Sequence, residues 1–165
     1  MCGFGTDLNG NGGNRMKKTA WVAVLVFVLD RLTKILAERS QGAFPLIPGV
    51  LGWRYAQNTG MAFSLLSGRP WLLGILSVVV LAAAALVLRS YRLDGLTRTG
   101  CMLIFGGAVG NMVDRFFTGY VVDMIEFLFV DFAVFNVADT ALTIGCVLLG
   151  FSLLTRPEAW KKAER

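Results

Sequence analysis

The pattern of apolar and charged positions is dominated by four long, mostly uncharged stretches. Trp71 to Leu88 is eighteen consecutive uncharged, mostly apolar residues ending at Arg89, close to the roughly 20 that a bilayer core demands. Val134 to Leu154 is a second, interrupted only near its start by Asn136 and Asp139. A third, Thr99 to Val113, makes about 22 Å of helix, short of a hydrocarbon core about 30 Å thick. To span, it must take Asp114 and Arg115 into the membrane edge. The first stretch runs from Thr19 to Leu29 and reaches the needed length only by continuing past Asp30 and Lys34 to about Leu36. The pattern therefore predicts an all-α membrane protein with four transmembrane helices, over about 19–36, 71–88, 99–117 and 134–154. Segment 41–67 is punctuated by Pro45, Pro48, Gly49, Gly52 and Gly60. It reads as a small extracytoplasmic β-sheet segment with Trp53 and Tyr55 at headgroup level. Residues 118–132 read as a short outer loop.

Charge decides the sidedness. Arg15, Lys17 and Lys18, then Arg89, Arg92 and Arg98, then Arg156, Lys161, Lys162 and Arg165 all fall on one side of a four-span arrangement. By the positive-inside rule that side, with both termini, is the cytoplasm. Lys17 and Lys18 before an apolar run also resemble a signal peptide, yet no small-residue cleavage site follows. Residues 1–15 are rich in Gly and Asn and read as a disordered leader, an upstream start or a cloning remnant. Residues 16–155 form the membrane domain and 156–165 a cytoplasmic tail. The exit and start points of the spans then gather Asp30, Asp114, Asp123 and Asp139 near the outer leaflet.

Composition limits the chemistry available there. With 55% hydrophobic residues the chain is too apolar for an ordinary soluble domain, and its net charge of +5 flanks the apolar runs instead of forming a nucleic-acid stripe. Cys101 and Cys146 lie within predicted spans and Cys2 in the leader, with no disulfide or zinc spacing. The chain has no histidine, which removes Ser-His, Cys-His and His-zinc chemistry and leaves carboxylates or a Ser-Lys arrangement.

An ionisable group at membrane depth costs upward of about 2.5 kcal/mol, so each is a candidate for function. Asp123 and Asp139, brought close, would share a proton and present an acid and a base at one pH. The plainer reading makes Asp123 a solvated loop residue beside Glu126 and Asp131. Asp30 and Lys34, four apart on one helix face, are expected to neutralise each other. Asn111 and Asp114 share a face, as do Asn136 and Asp139, and the two asparagines are expected to support the carboxylates. Asp114 and Arg115 are candidates for a structural charge pair. Gly106, Gly107 and Gly110 have the spacing of close helix packing, and Asn58-Thr59-Gly60 is a turn signal. A proton-coupled transporter or a non-catalytic membrane scaffold would use such polar residues too.

Five ordered motifs carry a resemblance: Asp30-Arg31-Leu32-Thr33-Lys34, Asn58-Thr59-Gly60-Met61-Ala62-Phe63-Ser64, Gly110-Asn111-Met112-Val113-Asp114-Arg115, Val121-Val122-Asp123 and Phe135-Asn136-Val137-Ala138-Asp139. Together, from about Lys17 to Leu154, the chain resembles the bacterial lipoprotein signal peptidases, the signal peptidase II family. Met61, Met124 and Thr140 stand where Ala, Phe and Ser are expected, and no carboxylate is replaced. The resemblance implies a membrane aspartic endopeptidase with Asp123 and Asp139 as its catalytic pair. It places Asp30, Lys34, Asn58, Gly60, Asn111, Asp114, Arg115 and Asn136 around the site or against substrate, with no metal and no cofactor. The implied partner is a diacylglyceryl-modified prolipoprotein, cut just before its lipidated cysteine. Membrane lipid, no nucleic acid and a monomeric enzyme in the bacterial cytoplasmic (inner) membrane complete the expectation.

Overall fold

The computed structural model describes residues 12–60, 68–91 and 93–160. Four helices, α1 (Gly12–Ser40), α2 (Pro70–Leu88), α3 (Gly95–Phe117) and α4 (Val137–Thr155), are accompanied by three strands, β1 (Ala43–Ile47), β2 (Leu51–Asn58) and β3 (Val121–Phe127). Helix α3 lies in the middle and packs against each of the other three. The strands form one antiparallel sheet in the order β1-β2-β3 at the end of the bundle where α1 finishes and α4 begins.

The bundle is inside out relative to a water-soluble one. Its outward faces are apolar: Val24, Leu32, Val79, Val80, Val147 and Leu154 are all exposed. Asp30, Lys34, Thr97, Asn111, Asp114, Asn136 and Ser152 are buried. In hydrocarbon the outer face meets a solvent as apolar as itself, so polar contacts and close packing hold the helices together. Helices α2 and α4 are long and apolar enough to cross a membrane. Helices α1 and α3, at 29 and 23 residues, have the length but carry the charged residues of the predicted first and third spans.

Close approach around α3 depends on glycine. A β-carbon on Gly106 would sit 2.7 Å from the Ala23 carbonyl oxygen of α1, and one on Gly107 would collide with the Ala138 carbonyl oxygen of α4. Both obstacles are backbone and cannot swing aside. Gly107→Ala is therefore expected to cost about 1–3 kcal/mol, the usual toll of overpacking, read as a lower thermal midpoint in detergent. An unchanged midpoint would mean that α3 and α4 can separate freely.

Two expectations need correction. Helix α1 begins at Gly12, four residues before Met16, although Gly and Asn are poor helix formers, because extending an existing helix avoids the cost of nucleation; residues 1–11 lie outside the described residues. The segment expected to be an outer loop contains β3, whose residues pair with β2, Ala56 opposite Asp123 and Asn58 opposite Val121. Val122 and Met124 turn to one side, where they form a core with Ala37 at the end of α1. Asp123, between them in the strand alternation, turns to the other side. A register shift between Trp53 and Ala56 adjusts the pairing just before that point.

Candidate active site

Two polar networks meet at the sheet end of α3. The first is ionic. Asp30, fully buried on α1, places Oδ2 2.7 Å from Lys34 Nζ one turn later. The same ammonium lies 2.7 Å from Asp114 Oδ2 and donates to Asn111 Oδ1 at 2.8 Å, both on α3. Arg31 takes the other oxygen of Asp114. Two anions and two cations thus cancel where an unpaired charge would cost several kcal/mol. Asp30 Oδ1 reaches α4 and accepts the Ala138 backbone N–H at 3.1 Å, one of the donors that a helix start leaves without an internal partner.

The second network links amides to Asp123 and Asp139. Asn136 is the N-cap of α4: its Oδ1 accepts the Asp139 backbone N–H at 2.8 Å. Its Nδ2 donates to Asp123 Oδ1 at 2.7 Å and to Asn111 Oδ1 at 3.2 Å. Asn111 Nδ2 donates to Asp139 Oδ1 at 2.7 Å, and Asn58 Nδ2 to Asp123 Oδ2 at 3.0 Å. Gly60 ties the end of β2 in place, its N–H donating to Asn58 Oδ1 and its carbonyl accepting from Arg115 Nη2 at 3.2 Å. Arg115 Nη1 donates to the Asn111 carbonyl.

All ten candidate residues from the sequence therefore join one contact network, but not always as expected. Asp114 and Arg115 do not pair, because successive residues on a helix point in different directions; Asp114 meets Arg31 and Lys34 while Arg115 turns toward Gly60. Asn136 stands outside the helix as its cap instead of sharing a helical face with Asp139. Glu126 is not a free loop charge, since it meets Arg54 across the sheet at 3.0 Å. Residues 61–64 of the second motif fall in the segment 61–67, which lies outside the described residues. Arg31 escaped the sequence reading, although the need for a second cation beside Asp30 and Asp114 could have pointed to it. The role of Ala138 is played by its backbone and leaves no trace in side-chain identity.

Burial, and next the charge of Asp139, push the Asp123 carboxyl up from its ordinary 3.8 to about 7, against the opposing hydrogen bonds from Asn58 and Asn136. Between those values the folded chain holds a proton that the unfolded chain has released, so this group makes stability fall as pH rises from about 4 to about 7. The slope reaches at most about 1.4 kcal/mol per pH unit. Asp123→Asn should lack that component. Thermal midpoints of both proteins at about pH 5 and pH 7.5 test this: the variant gains on the wild type at the higher pH, whereas equal differences would mean ordinary ionisation.

The family profile described as Signal peptidase (SPase) II matches residues 22–155. The chain belongs to the signal peptidase II family. The lipoprotein signal peptidase of Nostoc sp. is 42% identical over 142 residues, covering 83% of this chain and 90% of the relative. That of Latilactobacillus sakei is 40% identical over 139 residues, covering 82% and 92%. A bacterial membrane enzyme solved by the in meso method at 2.3 Å resolution superimposes with a TM-score of 0.76 at 31% identity, covering 90% of this chain and 94% of that one. Signal peptidase II enzymes are aspartic peptidases, which fits a site whose titratable groups include no histidine. These relatives leave the transporter reading without support.

Proposed function

We propose that Asp123 and Asp139 are the catalytic pair with which this signal peptidase II enzyme removes the signal peptide from diacylglyceryl-modified prolipoproteins, cutting just before the lipidated cysteine. The observation that carries this reading is the single asparagine between them. Asn136 holds the Asp123 carboxylate with its Nδ2 and the Asp139 backbone with its Oδ1. One carboxylate takes a proton from water as the oxygen attacks the scissile carbonyl carbon. The other, protonated, hydrogen-bonds the carbonyl oxygen and then passes its proton to the departing amine nitrogen as the C–N bond breaks. The pair titrates as a unit, so any pH profile reports values that belong to both groups.

In this reading all four helices span the inner membrane, with α1 and α3 carrying their charges in the neutralised cluster, and the enzyme acts as a monomer. Both termini are cytoplasmic. Support comes from the end of the bundle opposite the sheet, where Arg156 meets Asp94 at 3.0 Å and Thr97 meets Ser152 at 2.6 Å. The basic link between α2 and α3 is thereby tied to the basic end of α4, on the side the positive-inside rule assigns to the cytoplasm. The sheet and the aspartates then sit at the outer leaflet, where the acyl chains of a substrate remain in lipid and hold the scissile bond at a fixed depth. Asn58, Gly60 and Arg115 sit where the sheet would close over the substrate backbone.

A gel-shift assay with a diacylglyceryl-modified prolipoprotein and its unmodified precursor tests the substrate class. Cleavage of the lipidated form alone is expected. Equal cleavage of both would remove the lipid from the recognition, and wild-type rates with Asp123→Asn would remove the pair from the mechanism.

A further inference from the structure

The ionic cluster beneath the aspartates does more than neutralise charge. Lys34 donates one hydrogen bond, to Asn111 Oδ1 at 2.8 Å, while its ammonium stands in ion-pair contact with Asp30 Oδ2 and Asp114 Oδ2, each at 2.7 Å. An ammonium has no acceptor capacity, so an amide facing it must offer its oxygen. Asn136 Nδ2, also a donor, points at the same oxygen from 3.2 Å. With Oδ1 claimed from two sides, the Asn111 amide has one orientation left, and its Nδ2 faces Asp139 Oδ1 at 2.7 Å. The orientations of the other two amides are set by backbone donors, Gly60 N–H for Asn58 and Asp139 N–H for Asn136. Asn111 alone of the three has its orientation set by a charged side chain.

We propose that Lys34 is a positioning residue for the aspartate pair, acting through Asn111, whose amide it locks so that a donor and not an acceptor faces Asp139. This rests on the reading of Asp123 and Asp139 as the catalytic pair. The consequence is chemical as well as geometric. A donor on Oδ1 favours the charged carboxylate there and leaves Oδ2 for the proton shared with Asp123 or for water. A flipped amide would set its carbonyl against the carboxylate and force that oxygen to be protonated. The groups bearing on Asp139 from the surrounding elements are Lys34 and Asp30 of α1, Arg115 of α3 and Asp123 of β3. Lys34 therefore acts on the pair twice, by its charge and by the amide it orients.

Two variants separate this from a purely structural role. Lys34→Met removes the donor, and Asn111→Asp keeps an acceptor toward Lys34 but deletes the donor toward Asp139, leaving the ion pairs with Asp30 and Asp114 in place. Cleavage of a diacylglyceryl-modified prolipoprotein, normalised to folded enzyme in detergent, is measured as kcat, KM and pH profile. Asn111→Asp should lower kcat at least about 30-fold with KM within about threefold, and displace the pH profile. In the double-mutant cycle of Lys34→Met with Asn111→Leu, the double variant should be no slower than the slower single variant within about threefold. If Lys34→Met does not accumulate as folded enzyme, the same cycle is run in the Asp30→Asn background, where one of the carboxylates that lose the ammonium is neutral. An unshifted pH profile with wild-type kcat in Asn111→Asp, or strictly multiplicative losses in the cycle, would overturn the lock. If Asp123→Asn and Asp139→Asn are inactive in the same assay, such a result condemns the lock only; if they remain active, it is the catalytic pair that fails.

Discussion

Asp139→Asn should lower kcat/KM for a diacylglyceryl-modified prolipoprotein by about 10³-fold or more, and Asp123→Asn by a comparable factor. Proton transfer by a positioned group contributes about 10²–10⁴ in rate, and in the proposed mechanism each carboxyl depends on the other to hold the complementary protonation state. Residues that act as a unit lose their joint contribution when either is removed. The double variant should accordingly be no more than about tenfold slower than the worse single one. Folding should survive, because an amide of nearly the same shape replaces the carboxyl. At Asp123 it can still accept one of the two amide donors, from Asn58 or Asn136, and it removes a carboxyl that burial disfavours in its charged form. The measurement is single-turnover cleavage followed by gel shift, with circular dichroism and thermal melting as controls. Residual activity above about a tenth of wild type in either folded variant would show that the chemistry uses other groups.

The second large effect falls on stability. Lys34→Met keeps the length and apolar stem of the side chain and deletes its charge. Lys34 is only 2% exposed, and its ammonium is shared by Asp30 and Asp114, which are equally buried. Breaking a buried pair by removing one partner typically costs about 3–5 kcal/mol, because the charge left behind has neither water nor counter-ion. Against a typical total stability of about 5–15 kcal/mol, that is a large share. A fall of about 10 °C in the thermal midpoint is expected. Lys34→Met combined with Asp30→Asn should recover part of the loss, since Asp30, left with only Arg31 at 3.7 Å as a counter-ion, is then neutral. Asp30→Asn cannot restore all of it, because Asp114 retains only Arg31 as a partner. Identical midpoints for wild type and Lys34→Met would mean that water reaches the cluster and screens it.

Much of this molecule was readable from the order of its residues. The apolar runs predicted all four helices to within a few positions, apart from the N-terminal extension of α1, because hydrophobic length is a local property that needs no partner. The Asp30–Lys34 pair was equally legible, since four residues is one helical turn. Strand β3 was not. Its apolar residues are interrupted by Asp123 and Glu126, three apart, which breaks the alternation that marks a strand. Its partner β2 lies more than sixty residues earlier, so no hairpin turn announces it. The partners of Asp114 were missed for a related reason: Arg115 is adjacent in sequence, but Arg31 and Lys34 are adjacent in space.

The sequence by itself determined which groups were available for chemistry: aspartates and asparagines in a chain without histidine, spaced so that they fall at the ends of apolar helices. The tertiary structure alone decided how those groups are joined. Helix α3 approaches α1 and α4 closely enough for Lys34 to reach Asn111 and for Asn111 to reach Asp139. Asn136 turns one amide edge to each side of the pair. The physical reason is range. Hydrophobic periodicity acts over one helical turn, whereas these hydrogen bonds close only after backbones from distant parts of the chain have met at glycines.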